Sequence, residues 1–379
     1  MKQVRINISK PVLEWALHRM RFYPQVQEKF PIHDWLEGRK KPTLRQVEKF
    51  AKSLNIPLGY LFLSAAPREV IFTPYFRTKG EKIELSPETK EVIATLEQWQ
   101  SWLREYLIHL GKDPLDYVGI LDKGTTPAKL AKVAAAILEL EPGWTLKFRT
   151  VGDALNKFKN TLEGKRIAVS SSGIVGTNTR RRIDVNELRG LVLIDQFAPF
   201  MFVNSGDAKS AQVFTLAHEF MHILVGQSAS FDLSDLEPNK DPVELLCNKA
   251  AAEFLVPREI FVQKFKKYYV DGLENRIGEL ARQFKVSRIV ILRRTLELGL
   301  ISKEKFGQLY GLFVADLRRQ HTTGGNFYRN QRARLGNLFS KMIFYAVREG
   351  YLLHTEAFKL TGLKGKTFDR YFSQFEGIV

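Results

Sequence analysis

Apolar positions in the first 66 residues repeat with helical spacing. Val12, Leu13, Ala16 and Met20 follow Ser9 and Pro11, a capping residue and a residue suited to an early helical position. Leu44, Val47, Phe50, Ala51 and Leu54 form a second, strongly amphipathic run that stops at Asn55-Ile-Pro, and Tyr60-Leu-Phe-Leu opens a short last helix. Helical spacing returns from Ser86 to His109, in an alanine-rich stretch from Pro127 to Leu140, and from Thr150 to Leu162. After Gly164 the period changes. Lys165-Arg-Ile-Ala-Val-Ser, Gly173-Ile-Val-Gly, Gly190-Leu-Val-Leu-Ile-Asp and Phe200-Met-Phe-Val-Asn are short β-branched or aromatic runs bounded by turn-forming residues, which predicts a small twisted sheet of three to five strands. Helix resumes at Ala211–Leu224 and Pro242–Leu255 and continues in pieces to the C-terminus. The expected fold is therefore α+β and mainly helical. It divides into a helical domain over residues 1–66, a helical linker region over 67–149, a mixed domain over 150–265 and a helical region over 266–379.

Length agrees with that division, since 379 residues exceed one compact domain. Hydrophobic residues at 44% and charged residues at 26% exclude a disordered or fibrous chain. The N-terminal residues lack the apolar core of a signal peptide, and no stretch reaches about 18 uncharged apolar residues, so a cytoplasmic protein without a membrane partner is expected. The single cysteine, Cys247, reads as a buried small apolar side chain. Net charge is +17 and unevenly spread: residues 1–80 hold 15 Lys or Arg against 6 Asp or Glu, and residues 301–379 hold 13 against 6. The stretch 206–259 reverses this, with 4 basic and 9 acidic residues. Such a distribution suits a cation site flanked by modules that meet an anionic partner.

The most specific chemistry lies in that acidic stretch. In Phe214-Thr-Leu-Ala-His218-Glu219-Phe-Met-His222 two histidines four apart share one helix face, so both imidazoles can reach a single tetrahedral zinc ion. Glu219, next to the first ligand, is placed to hold a zinc-activated water and take its proton. The surrounding helix is apolar nearly all round, which would bury these polar groups, and a metal supplies the partners they then need. A catalytic zinc needs a third protein ligand and one open position. Glu244, on the predicted helix after Asp241-Pro242, is the best placed, with Asn248 one turn on as a support for a liganding histidine. Glu253 further along the helix, and Asp232 and Asp235 in the intervening loop, are the alternatives.

These two stretches, with Glu244-Leu-Leu-Cys-Asn-Lys-Ala-Ala-Ala-Glu-Phe-Leu-Val-Pro257 as the second, resemble the ImmA/IrrE family of zinc metallopeptidases, and the likeness extends to Arg189-Gly190, Pro199 and Asn204. The resemblance implies a zincin-like peptidase domain over 150–265, with His218, His222 and Glu244 as Zn2+ ligands, Glu219 as general base, and Asn248 and Glu253 in support. It also implies a job: family members cleave or inactivate a repressor or another regulatory protein, and some look like partners of toxin modules.

Trp35-Leu-Glu-Gly-Arg-Lys-Lys-Pro-Thr-Leu is similar to the end of a Cro/repressor-type helix-turn-helix, a module that accompanies some ImmA/IrrE proteins. If it binds DNA, Arg39, Lys40, Lys41 and Arg45 are the phosphate-contact candidates. Pro24 and Pro31 leave little length for two full helices between Phe22 and Asp34, so a module that binds protein or dimerises is the competing expectation. A DNA-binding regulator or antitoxin is accordingly the alternative to a peptidase. Ile277–Arg294 resembles a second helix-turn-helix element, expected to complete the peptidase domain by packing.

Overall fold

The computed structural model describes residues 5–20, 26, 29–54, 56–67, 85–227, 241–267, 272–317 and 327–376. The described residues up to Lys90 form one compact unit, and those from Glu91 onward form a second.

In the first unit, helices Lys10–Met20, Ile32–Leu36 and Leu44–Ser53 and the 3-10 turn Leu58–Phe62 surround one small core. Val12, Leu13, Ala16 and Met20 all point into it, and Trp35 meets Phe50 edge to face at 5.5 Å. Ser9 leaves its hydroxyl on the Leu63 carbonyl at 3.0 Å, tying the first helix to the last turn. Thr43 and Gln46 cap the third helix reciprocally, each side chain bonded to the other's backbone N–H. Ile32–Leu36 has only five residues. Most of the expected stretch before it, including Pro24, lies outside the described residues. Arg39, Lys40, Lys41 and Arg45 are exposed, but Arg39 pairs with Asp34 and Glu37, and Lys40 pairs with Asp34 at 2.9 Å.

In the second unit the strands are β1 (Ala168–Ser172), β2 (Ile174–Val175), β3 (Asn178–Arg182), β4 (Gly190–Leu193) and β5 (Phe200–Asn204). A three-stranded sheet has the order β1-β5-β4, with β1 parallel and β4 antiparallel to β5. β2 and β3 pair separately as an antiparallel hairpin. The sequence pattern did not predict β3, because Asn-Thr-Arg-Arg-Arg is polar throughout and carries no alternation. Every residue of β1, β4 and β5 is buried, as expected of strands covered on both faces.

Three features of this frame fix the functional region. First, the histidine helix Lys209–Val225 follows β5 directly, through a turn organised by Asn204. The fully buried Asn204 amide donates to the Ile183 and Leu188 carbonyls and accepts from the Gly206 N–H, so one side chain holds both the lead-in to β4 and the start of the helix. Second, the far end of that helix is closed by another segment. Gly119 and Leu121 donate their N–H groups to the Ile223 and Leu224 carbonyls at 2.9 and 3.0 Å, satisfying acceptors that a helix end leaves open. Gly226 ends the helix at φ +69°, and a Cβ there would lie 2.8 Å from the Gly119 Cα, so this crossing admits no side chain. Third, the helix Pro242–Leu255 lies alongside, and Phe158, Phe220, Phe254, Phe261 and Phe284 share one core with both helices. Each buried phenylalanine contributes roughly 1.5–3 kcal/mol relative to exposure.

The helix-turn-helix-like segment is part of this same core. Helices Leu273–Phe284 and Arg288–Glu297 meet at Lys285, in the left-handed region at φ 60°, with Ser287 capping the second. Ile277, Leu280, Phe284, Ile291 and Leu292 are fully buried with the residues of the histidine helix, so the expected boundary near 265 does not divide the core. Of the C-terminal helices, Asn337–Arg348 is capped by Glu163, which accepts from the Leu338 N–H at 3.0 Å, and Ser170 of β1 donates to the Arg334 carbonyl at 2.6 Å. Among the described residues no helix is long and apolar enough to cross a membrane.

Candidate metal centre

Two consecutive helices bring three ligand atoms together. His218 and His222 lie one turn apart on the histidine helix, and Glu244 sits in the first turn of Pro242–Leu255, which Asp241 caps through the Val243 N–H. The two Nε2 atoms are 3.0 Å apart. Glu244 reaches both: Oε2 is 3.3 Å from His218 Nε2, and Oε1 is 3.4 Å from His222 Nε2. One ligand atom from each residue lies within 4.8 Å of the other two, the only such His/Cys/Asp/Glu group among the described residues.

The donor set fits a divalent cation. His222 is fully buried, and its Nδ1 meets the Gln227 carbonyl at 3.0 Å. A carbonyl only accepts, so Nδ1 carries the proton and the Nε2 lone pair faces the cluster. Burial above all, reinforced by His218, pushes the His222 pKa down to about 4, so the ring is neutral near pH 7. Burial raises the Glu244 carboxyl, but its hydrogen bond to His218 and the electrostatic pull of the His218 and His222 rings outweigh burial and leave it below the ordinary range. Oε1 of Glu244 is buried without a hydrogen-bond donor. A neutral imidazole and a carboxylate presenting lone pairs to one point need a proton or a cation between them, and a nitrogen-and-oxygen donor set of this size suits zinc.

Glu219 lies beside the cluster with its carboxylate buried. Burial dominates its titration, with Glu244 adding repulsion and His218 partly offsetting it, and lifts its pKa to about 7. Its position depends on Gly190 at the start of β4. A Cβ on Gly190 would stand 2.9 Å from Glu219 Oε1 and 2.2 Å from Thr215 Cγ2. The sequence marks Gly190 as a turn residue before a strand, but its approach to Glu219 is visible only in three dimensions.

The remaining sequence candidates lie elsewhere. Among the described residues no hydrogen bond joins half-buried Asn248 to either histidine, and the Gln227 carbonyl takes the orienting place expected of it. Backbone carbonyls carry no sequence signal, which is why that partner was missed. Glu253 faces away from the cluster: it accepts from the Arg258 N–H at 3.1 Å and pairs with buried Arg294, which also binds Glu297 at 2.8 Å and the Val256 carbonyl at 3.2 Å. It therefore ties the Glu244 helix to Arg288–Glu297 and does not contact the histidines. Asp232 and Asp235 lie outside the described residues. Cys247 is free and fully buried, as expected.

Comparison with known proteins agrees with this geometry. Residues 173–296 match the peptidase family described as the IrrE N-terminal-like domain, and residues 335–374 match a domain family of unknown function. The radiation response metalloprotease IrrE of Deinococcus radiodurans is 34% identical over 92 residues, which are 23% of this chain and 27% of that protein. The chain thus spans about a quarter of that relative's length. These likenesses support the ImmA/IrrE family and a metallopeptidase-type function for the region that holds His218, Glu219, His222 and Glu244.

Proposed function

We propose that the chain is a zinc-dependent endopeptidase that cleaves or inactivates a regulatory, repressor-like protein. The observation that carries this reading is the convergence of His218, His222 and Glu244 on one point beside a buried carboxylate, Glu219. In this reading the three residues hold Zn2+ and leave one position open. When bound, the cation acts as a Lewis acid that polarises the scissile carbonyl and acidifies water. Gln227 fixes His222 in its ligating tautomer through the backbone carbonyl, and Gly190 leaves room for Glu219 to stand beside the ligands. Glu219 takes a proton from the attacking water and passes it to the departing amine. A carboxyl held near pH 7 by burial can do both, and a divalent cation close by pulls it toward the ionised form that starts the reaction.

The regulatory substrate follows from the resemblance to the ImmA/IrrE family and is the most specific part of the proposal. Its test uses the Glu219→Gln variant with a repressor-like protein encoded beside this chain. The expected result is a zinc-loaded variant that no longer cuts a protein the unaltered chain cuts. Equal cleavage by both proteins would reject the assigned role of Glu219.

A further inference from the structure

The second unit contains an open cavity of about 920 Å³ beside the first turn of the histidine helix, lined there by Ala208 and Ser210. Arg149, Arg282, Lys285 and Arg288 bring four cationic side chains to it, against the carboxylates of Glu274 and Glu279. Four cations against two carboxylates leave the lining net positive. Its cations are positioned by their surroundings. Arg288 lies over the buried Phe313 ring at 5.6 Å and faces Gly278, where a Cβ would come within 3.6 Å of its Nε. Lys285 is 8% exposed and anchored on the Arg282 and Gln283 carbonyls.

The exposure pattern of the helix links this cavity to the metal centre. The helix is buried on most sides, yet Ser210, Ala211, Phe214, Thr215 and His218 are each half-buried, one turn after another. This stripe spans the eight residue steps from Ser210 to His218, about 12 Å, the length of roughly four residues of extended polypeptide. We propose that the cavity is a subsite for an acidic segment of the polypeptide being cut, seated about four residues from the scissile bond. The inference rests on the peptidase reading for its location and on the cavity's own charge for its ligand. An acidic peptide suits the lining better than nucleic acid. Glu274 and Glu279 interrupt the positive lining, which a peptide with spaced acidic side chains can accommodate and a continuous phosphate backbone cannot, and the half-buried Ile289 and Val151 give apolar surface for side chains between the acids.

Two readouts on the full chain test this. A fluorescein-labelled octapeptide of alternating glutamate and glycine, followed by polarisation at low salt, is expected to bind at least tenfold more tightly than its glutamine counterpart. Arg149→Glu combined with Arg288→Glu is expected to remove that preference, and Arg149→Glu alone, an exposed substitution, to weaken it if the pair fails to fold. Glu219→Gln is expected to bind as the unaltered chain does. In the second readout, the zinc-loaded chain digests a peptide library, and cut products are expected to be enriched in Asp or Glu about four residues from the cut. Binding of the acidic peptide with no library cleavage supports the subsite and counts against the peptidase reading. Cleavage without acidic preference, together with equal binding of both octapeptides, overturns the subsite and leaves the peptidase reading standing. Displacement of the peptide by a single-stranded octanucleotide at lower concentration than by unlabelled peptide overturns it in favour of a nucleic-acid site.

Discussion

Replacing Gly190 with alanine tests how the sheet positions the general base. The added methyl would stand 2.2 Å from Thr215 Cγ2 and 2.9 Å from Glu219 Oε1, both well inside van der Waals contact. Thr215 is β-branched on a helix, with a stiff χ1, and the Glu219 carboxylate is buried, so neither yields freely. Overpacking of this kind costs about 1–3 kcal/mol, equivalent to a fall in melting temperature of about 2–8 °C for a unit this size. The effect on catalysis should be larger than the effect on stability, since moving a catalytic group by about 1 Å can cost about a hundredfold in rate. The two contacts separate in a double variant. Adding Thr215→Ser removes Cγ2 and the worse clash but leaves the contact with Glu219. The expected outcome for Gly190→Ala/Thr215→Ser is recovery of most of the melting temperature, with zinc still bound and cleavage still reduced by tenfold or more. The assay is calorimetry beside cleavage of a common substrate. Full recovery of activity in the double variant, or an unchanged single variant, would refute the argument that Gly190 exists to admit Glu219.

Further expectations follow from the same geometry. In metal-free protein, a Glu219 pKa raised from 4.5 to about 7 means that the folded chain holds a proton the unfolded chain releases. That contribution is complete below pH 4.5 and is lost as pH rises to 7, so Glu219→Gln should match the unaltered chain near pH 4.5 and exceed it by ~3 kcal/mol at pH 8 in denaturant titrations. The buried His222, depressed to about 4, has the opposite sign: in metal-free Glu219→Gln, stability should fall as pH drops from 6.5 to 4. Arg294→Met leaves the half-buried carboxylates of Glu253 and Glu297 without their shared cation and should cost about 1–3 kcal/mol, while zinc affinity measured by chelator competition stays within about threefold. Gly226→Ala, forced against the Gly119 backbone, should lower both melting temperature and zinc affinity, because the Gln227 carbonyl that orients His222 is the next residue.

Features that repeat along one element could be read from the sequence, whereas those that join separate elements could not. The histidine spacing is a property of one helix, and Glu244 is the acid that a second predicted helix carries after its Asp241-Pro242 start, so their meeting could be anticipated. The sheet was anticipated where strands are apolar, and β3 was not, because its arginines follow no period. Glu253 has the right residue type and helix for a supporting role near the metal, but its partner Arg294 is 41 residues away and turns it toward another helix. Asn248 was assigned by its offset and by the family resemblance, and a backbone carbonyl stands beside His222 in the orienting place. The second helix-turn-helix-like segment was correctly expected to pack inward, because Ile277, Leu280, Phe284 and Ile291 are too apolar to face water.

The most direct test of the account is zinc stoichiometry and affinity, measured by competition with a chromophoric chelator on the unaltered chain and on Glu244→Gln. The prediction is one zinc per chain, with affinity at least a hundredfold weaker in the variant while its fold, followed by circular dichroism, is retained. No zinc on the unaltered chain, or equal affinity in the two proteins, would contradict the claim that His218, His222 and Glu244 converge to hold a single cation.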